Sequence, residues 1–454
     1  MYVNNAKEFS LKTYIGKYLN IIKILYLEKK YKDDEYAYMR VNSIDILRGI
    51  FVVSMLFVIN QGMESAISRN FTISTWHGMT FADLLLPYFV VVMGMSIPFF
   101  VKKNYSDGDL LIDIVKRVFI RFLVILFIGI IYSSIFMEAR TGIRLTGPYQ
   151  LIAINYLIGA LVYIGLLNMK IKNNVLVYVF VIMAIFISAL MTFIGFVNGY
   201  SIDKNVFISI DRLILGDFMS RSAADSEGIM SVFAASPLAM IGISIACIFN
   251  KKPIKNKKYK RYYRPHKVKV EGLTRTNLWI DIKSWINIKS IASILSNYYR
   301  LNDELKKLVD LLILSIIMYI LSHISQVYIP LNRNVFSLTF TMRVAEYIYL
   351  ISMVTYLTFD VIGVNFGTNL IKRIGLNAIP IIILVTCIHE LIKLVNLKSI
   401  YTSTWLPFNT WFTTDFILPI AGIDYASAMY SVLVTLVWIL LFNILEKYKL
   451  KINI

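Results

Sequence analysis

Cysteine is nearly absent from this chain, with two in 454 residues, and histidine is almost as scarce, with four. These numbers leave no disulfide framework and no sign of a metal site. Cys247 and Cys387 each fall inside an apolar run, where a free thiol packs as a small hydrophobe. Strict apolar/polar alternation, the mark of a membrane β-barrel, is missing. No internal repeat of the kind that builds transporters can be read. A secretory signal peptide is not evident either. The first forty residues are polar and basic, and the first strong apolar run begins near Ile44.

What the chain has instead is apolar length. Hydrophobic residues make up 57% of it and the mean hydropathy is +0.64. They come in continuous runs of about 18–24 residues, enough to cross a bilayer core of roughly 30 Å as helix. "YVFVIMAIFISALMTFIGFV" is one such run. The fold class is therefore all-α, a polytopic membrane bundle. Ten spans are expected, near 43–63, 79–101, 112–135, 150–168, 174–197, 229–249, 309–328, 335–358, 375–395 and 424–445. Both termini then lie on one side. With that side cytoplasmic, most of the 47 Lys and Arg residues fall inside, as the positive-inside rule requires. The bias accounts for the net charge of +19 without any nucleic acid. The protein is expected in the cell membrane, multi-pass, with the lipid bilayer as its first partner and a homo-oligomer left open.

The organisation read from these spans has four parts: a basic cytoplasmic segment 1–42, six spans over 43–249, a basic cytoplasmic loop 250–308, and four spans with a short basic tail over 309–454. Two inner stretches have apolar residues at roughly helical spacing among lysines. They are 9–26 (Phe9, Ile15, Leu19, Ile22, Tyr26) and 278–298 (Trp279, Ile282, Ile286, Ile294). Such stretches lie in the membrane interface. The run "NKKPIKNKKYKRYYRPHKVK" between them suits anionic headgroups.

The outer loops are polar and patterned, which points to a polar molecule handled outside the membrane. "NFTISTWHGMTFADLLLPYF" (70–89) carries Trp76, His77 and Asp83 at the mouth of the second span. His77 is the one histidine in an outer loop. His323 and His389 fall in the outer halves of their spans, and His266 lies in the basic inner loop. A histidine suits proton transfer near neutral pH. Asp83 either orients His77 or binds a sugar, or it is an N-terminal charge favoured by the helix dipole. Arg343 and Glu346, three apart within the eighth span, read as a structural ion pair.

Several motifs then combine. "SIDILRGIFVVSMLFVIN" (43–60) followed by "WHGMTFADLLLPYFVVVMGMSI" (76–97) resembles the start of the catalytic region of the heparan-alpha-glucosaminide N-acetyltransferase family. "RLTGPYQLIAINY" (144–156), "DSEGIMS" (225–231), "PLNRNVFSLTF" (330–340) and "GLNAI" (375–379) look like further pieces of it in the family's order. The resemblance implies a transmembrane acyltransferase, taking an acetyl group from cytosolic acetyl-CoA to an amino sugar or sugar hydroxyl of an extracytoplasmic glycan, with no metal. It also implies an Asn near the outer end of the first span, here Asn60, as oxyanion donor. The family's loop histidine lies three residues before the Trp, where this chain has Ile73. With that departure His77, beside Asp83 and Asn60, is the candidate acid–base group, with His323 as a second candidate and a catalytic role for no histidine as the third reading. By the same resemblance Trp76, Arg144, Gln150, Asp225, Glu227, Asn332 and Asn377 are expected to bind the acceptor, although Asp225 and Glu227 could equally cap the sixth span. Arg48, Lys116, Arg117 and Arg121 are expected to hold the phosphates of the donor, although Asp45 and Arg48 could equally pair with each other. A binding-only family member and a transporter of small molecules or lipid-linked sugars are the rival readings.

Overall fold

In the computed structural model, residues 41–106, 108–137, 142–220, 224–251, 298, 301, 303–364 and 367–447 are described. The surface helices expected over 9–26 and 278–298 lie outside them but for Tyr298, and so does the basic run beyond Lys251. Among the described residues, nine helices are long and apolar enough to cross a membrane. They are α1 (Asn42–Ile59), α2 (Phe81–Ser106), α3 (Leu111–Phe136), α4 (Pro148–Asn168), α5 (Asn173–Phe196), α7 (Ile229–Phe249), α8 (Asp303–Gln326), α9 (Leu338–Tyr356, continued by a π turn to Val361) and α12 (Ile423–Lys447). The ninth expected span, 375–395, is entered through a bend. α10 (Thr368–Leu376) and α11 (Ala378–Lys393) meet at an 81° bend at Asn377. Helix α6 (Val206–Leu215) lies in the long outer loop.

The middle of the bundle is α7, nearly all of it buried, packed against α2, α4 and α5. Helix association in lipid depends on close approach of small residues, and the α2–α7 crossing follows that rule. A Cβ on Gly94 would lie 2.4 Å from the Ala239 carbonyl oxygen, and one on Gly242 would lie 1.9 Å from that of Val91. Polar side chains add cross-links. Asn155 of α4 donates to Val232 O of α7 at 3.2 Å, the hydroxyls of Ser244 (α7) and Tyr349 (α9) share a hydrogen bond, and Leu338 N–H donates to Thr192 Oγ1 at 2.7 Å. By contrast α3 and α12 expose broad apolar faces, as lipid-facing helices do.

The helix ends are capped by chemistry the sequence carries. Asp360, in the π turn after α9, accepts from the N–H groups of Asn42 and Ser43 at 2.9 Å each and so closes the start of α1. Asn205 caps α6, its side chain accepting from Phe207 N–H at 3.0 Å. Beyond α11 the chain makes a short antiparallel hairpin, β1 (Asn396–Lys398) with β2 (Trp405–Pro407), and Asp415 secures its tip through Ser399 Oγ at 2.6 Å and Ile400 N–H at 2.8 Å.

Candidate functional site

Asp83 is fully buried and belongs to the start of α2. Its carboxylate accepts from Thr80 N–H at 2.9 Å and Thr80 Oγ1 at 3.0 Å, while Thr80 Oγ1 accepts from Asp83 N–H at 3.3 Å. This is a reciprocal capping box. The same carboxylate also receives Ser74 N–H at 3.3 Å, so it holds the outer loop on the helix. His77 is not among its hydrogen-bond partners.

The outer loop is tied down along its length. Trp76 Nε1 donates to Tyr200 O at 2.8 Å, Gly78 N–H donates to Leu331 O at 2.9 Å, and Thr80 Oγ1 donates to Thr72 O at 2.7 Å. His77 is exposed, with its Nδ1 3.4 Å from Asn332 Nδ2. Asn332 is buried, and its Oδ1 accepts from Val335 N–H at 3.1 Å, which turns the amide nitrogen toward the ring. A ring that accepts at Nδ1 carries its proton on Nε2, where it can donate. Ile73 is 56% exposed on the surface of the same loop.

Beside this loop lies a buried charge network. Arg144 reaches Asp225 at 3.0 Å and Glu227 at 3.4 Å; Arg333 reaches the other oxygen of Glu227 at 3.3 Å and lies 3.9 Å from Asp83. Asp225 also takes the Thr146 hydroxyl, Ser220 N–H at 3.0 Å and Glu227 N–H at 3.1 Å. Three segments far apart in sequence are thereby locked together, and their charged groups are largely committed to one another. Gln150 is buried beside them, donating to Ser133 Oγ at 3.1 Å. Asp211 of α6 sits under this assembly and accepts from Met230 N–H at 3.0 Å. Burial pushes its carboxyl up to about 6, the Met230 N–H opposing and the charge of Asp225 adding to the shift.

Asn60 occupies the C-cap of α1, buried, with Nδ2 donating to Leu56 O at 2.7 Å and its carbonyl receiving Ser431 Oγ of α12 at 2.8 Å. The structure therefore brings together Trp76, His77 and Asn332, and beside them Asp83, Arg144, Asp225 and Glu227. Asn60 stands on the α12 side. Asn377 is at the bend between α10 and α11; α10 packs on Asp45 and Gly49 at the start of α1, the end opposite Asn60.

The residues expected at the donor's phosphates are dispersed. Lys116 pairs with Asp113 at 3.6 Å and Arg117 with Asp109 at 2.8 Å, both on the exposed flank of α3. Arg48 pairs with Asp45 at 3.1 Å and donates to Ser96, while Arg121 lies over the Phe100 ring at 4.2 Å. Ser96 and Phe100 are one turn apart on α2, so Arg48 and Arg121 flank one face of it.

A narrow apolar crevice of about 10 Å³ runs above that face, lined by residues such as Met55, Phe89, Ile125, Ile152, Ile379 and Ile382. Sequence reasoning missed it because its wall is entirely apolar. The helical spacing was there to read: Arg48 and Met55, Arg121 and Ile125, and Phe89 and Ser96 each share a face. Tyr149 also lines the crevice, and its hydroxyl shares a 2.7 Å hydrogen bond with Thr386. His389 is buried one turn farther along the same face of α11. His323 is exposed on α8, its Nε2 3.4 Å from Arg343, and Arg343 pairs with Glu346 at 3.4 Å and donates to Gln326 at 2.8 Å. Among the described residues no group of three or more His, Cys, Asp or Glu side chains could hold a metal ion.

Comparison with known proteins bears on the same region. The family model "heparan-alpha-glucosaminide N-acetyltransferase, catalytic" matches residues 40–280. The chain is 21% identical over 389 residues to heparan-alpha-glucosaminide N-acetyltransferase of Homo sapiens, an alignment covering 75% of this chain and 52% of the relative. It is 26% identical over 125 residues to the protein of the same name from Mus musculus, covering 27% of this chain and 19% of the relative. The chain thus spans about half the length, or less, of the relatives it matches.

Proposed function

This chain belongs to the heparan-alpha-glucosaminide N-acetyltransferase family, and from that premise we propose that it is a multi-pass acetyltransferase of the cell membrane, using cytosolic acetyl-CoA to acetylate an amino sugar or sugar hydroxyl of an extracytoplasmic glycan. The observation that carries the reading is the crevice between α1, α2, α3, α4 and α11. It starts one to two turns above Arg48 and Arg121 and ends near the Tyr149–Thr386 pair. An apolar seam between helices with cations at its inner end would suit, once opened, a ligand with a charged head and a slender, mostly uncharged arm. The side chains have to part for such an arm, because the crevice holds only about 10 Å³. Bound acetyl-CoA would supply the acyl group as a thioester.

The protein's own groups then have two tasks. One removes the acceptor's proton as it attacks and returns a proton to the leaving thiolate; the other holds the developing oxyanion. His77 takes the first task on the exposed outer loop once the Asn332 amide yields Nδ1, the ring nitrogen that carries no proton in this tautomer. Asn60 takes the second once its amide lets go of Leu56 O. Trp76 and the Asp225/Glu227 segment border the acceptor's approach. Asp83 acts on the site through the loop it anchors.

Two readings compete on specific observations. His389 lies on the crevice face of α11, which makes it the second candidate for the proton. The exposed Ile73, at the family's histidine position, favours a binding-only member. The test is acetyl transfer from acetyl-CoA to a panel of amino sugars and glycans by the purified protein, alongside His77→Ala, His389→Ala and Asn60→Ala. Loss of about 100-fold or more in His77→Ala is expected, the ordinary scale of general acid–base catalysis. If His389→Ala alone loses turnover, the proton role passes to α11. Acetyl-CoA binding without turnover on any acceptor leaves the binding-only reading in place, and no binding at all rejects the donor.

A further inference from the structure

Helix α6 links the outer end of α5 to that of α3. At its start Asn205 Nδ2 donates to Gly195 O, in the last turn of α5, at 3.0 Å. In its middle Asp211 accepts from Met230 N–H, at the beginning of α7, at 3.0 Å. Past its end Leu145 N–H donates to Phe218 O at 3.0 Å, and the neighbouring Arg144 N–H donates to Ser134 Oγ of α3 at 3.1 Å. A ten-residue helix is thus fixed at the level where three spans end. Its buried face is Phe207, Asp211 and Leu215, at four-residue steps. A different side carries Val206, Ile210, Leu213 and Ile214, the i, i+4, i+7, i+8 spacing of one apolar stripe. Leu213 is 85% exposed and Ile214 59%, while Ser209 and Arg212 form an exposed polar edge. The apolar side continues past both ends of the helix. Beyond its C-terminus Phe218, Leu145 and Ile143 are exposed, and Ser134 lies between Ile131 and Ile135 of the exposed stripe on α3. Before its N-terminus the exposed stripe of α5 runs through Phe186, Leu190, Phe193 and Val197, and Phe233 is exposed one turn into α7.

We propose that this side of α6 is a membrane anchor that lies in the outer leaflet, with Leu213 and Ile214 at the boundary between headgroups and acyl chains. Three observations favour lipid over a protein partner. The side is continuous with the stripes of α3 and α5, which face hydrocarbon in any bilayer that the spans cross. The ties to α5 and α7 set α6 at the depth where amphipathic helices rest, about 5–10 Å into that boundary. Its exposed apolar side chains, Leu213 and Ile214 with Ile143, Leu145 and Phe218, fall far short of the roughly 20–30 residues a side that a stable protein partner covers. At the polar edge the long stem of Arg212 lets its guanidinium reach headgroup phosphates. The anchor has a consequence for the charge network. Asp211 ties α6 to Met230, just beyond Glu227, so the Arg144–Asp225–Glu227 cluster is held at headgroup depth. The inference stands apart from the reaction the protein catalyses.

The test is nitroxide labelling of Leu213→Cys, Ile214→Cys, Ser209→Cys and Arg212→Cys, one at a time, in the full chain in nanodiscs of phosphatidylcholine and phosphatidylglycerol. Cys387→Ser removes the half-exposed thiol, and Cys247 stays because it is fully buried. Collision of each label with dissolved oxygen and with a neutral nickel chelate is read by electron paramagnetic resonance. Oxygen concentrates in hydrocarbon and the chelate stays in water, so oxygen should dominate at 213 and 214 and the chelate at 209 and 212. All four positions are exposed, so the labels leave the core intact. Uptake of label by Cys247 would reveal a misfolded variant, and the other position of the pair then decides. Equal access of the chelate to all four positions puts α6 in water and overturns the anchor. Low collision with both reagents at 213 and 214, with spin–spin broadening that grows with the number of chains per disc, puts a second copy on that side and overturns it as well.

Discussion

Replacing Arg144 by Met keeps the aliphatic bulk and removes the guanidinium from a buried network. Asp225, fully buried, then loses a contact at 3.0 Å, and Glu227 loses one at 3.4 Å. At an effective dielectric constant of about 20, two unit charges at those separations attract by about 5 kcal/mol each. Most of that gross attraction is offset by the cost of burying the ions, and the usual net loss on breaking a buried pair is about 3–5 kcal/mol. Asp225 keeps the Thr146 hydroxyl and the N–H groups of Ser220 and Glu227, which puts Arg144→Met near the lower end, at about 3 kcal/mol. Arg333→Met should cost less, about 1–2 kcal/mol. Glu227 would still have Arg144, and Asp83 is held chiefly by Thr80 and Ser74, with Arg333 only at 3.9 Å. Unfolding is read by labelling of Cys247, fully buried in α7, with a thiol-reactive dye during a thermal ramp in detergent. The half-exposed Cys387 gives the early background, which Cys387→Ser removes. Adding Asp225→Asn to Arg144→Met should restore part of the loss, because the orphaned charge is then gone. Equal destabilisation by the two arginine variants, or an additive double mutant, would refute the assignment of Arg144 as the hub.

Two further predictions use the same dye assay. Gly242→Ala places a methyl 1.9 Å from Val91 O at the α2–α7 crossing and should lower stability by about 3 kcal/mol or more, whereas Gly165→Ala, with nothing within 4 Å, should be neutral or gain up to about 1 kcal/mol. Asp211, raised to about 6 in the folded protein against about 4 when unfolded, binds more protons folded than unfolded in that window. Its contribution is fully present below pH of about 4 and fades as pH rises through about 6. The swing is on the order of 1 kcal/mol once solvent screening is allowed for, and Asp211→Asn should remove that slope.

The spans were readable because unbroken apolar length has one explanation in water-soluble terms and another in lipid, and only the second fits. The pairs Asp45–Arg48 and Arg343–Glu346 were equally visible, since residues three apart on a helix meet. The capping box was written as Thr-x-x-Asp at 80–83, so the dipole reading of Asp83 was open from the start. What stayed hidden depends on long-range packing. Nothing local says that Asp360 closes a helix that begins at Asn42, or that Arg144 chooses Asp225. Helix α10 fell between the expected eighth and ninth spans, because its Asn369, Lys372 and Arg373 read as inner loop. It rests on α1 where Gly375 meets Asp45, a contact between segments some 330 positions apart. Helix α6 did carry a signal, Asn205 followed by Phe207, Asp211 and Leu215 at four-residue steps, but it is shorter than a span and lay in a loop read as polar.

The loop that lacks the family's histidine is nonetheless held as a catalytic loop has to be. A proton-transfer group must stay within a few tenths of an ångström of its working position, and the backbone over residues 72–80 is fixed at Thr72, Ser74, Thr75, Gly78 and Thr80, with the Trp76 ring anchored besides. Those anchors act on the backbone and on Trp76, so they serve whichever side chain carries the chemistry. Ile73 is turned to solvent, where an apolar residue gains nothing from the anchors. His77 sits between two of them, with the Asn332 amide at its Nδ1. If this loop moves a proton, the rigidity converges on position 77; loss of turnover in His389→Ala alone would pass the role to α11, so comparison of the two alanine variants decides between a displaced histidine and a displaced site.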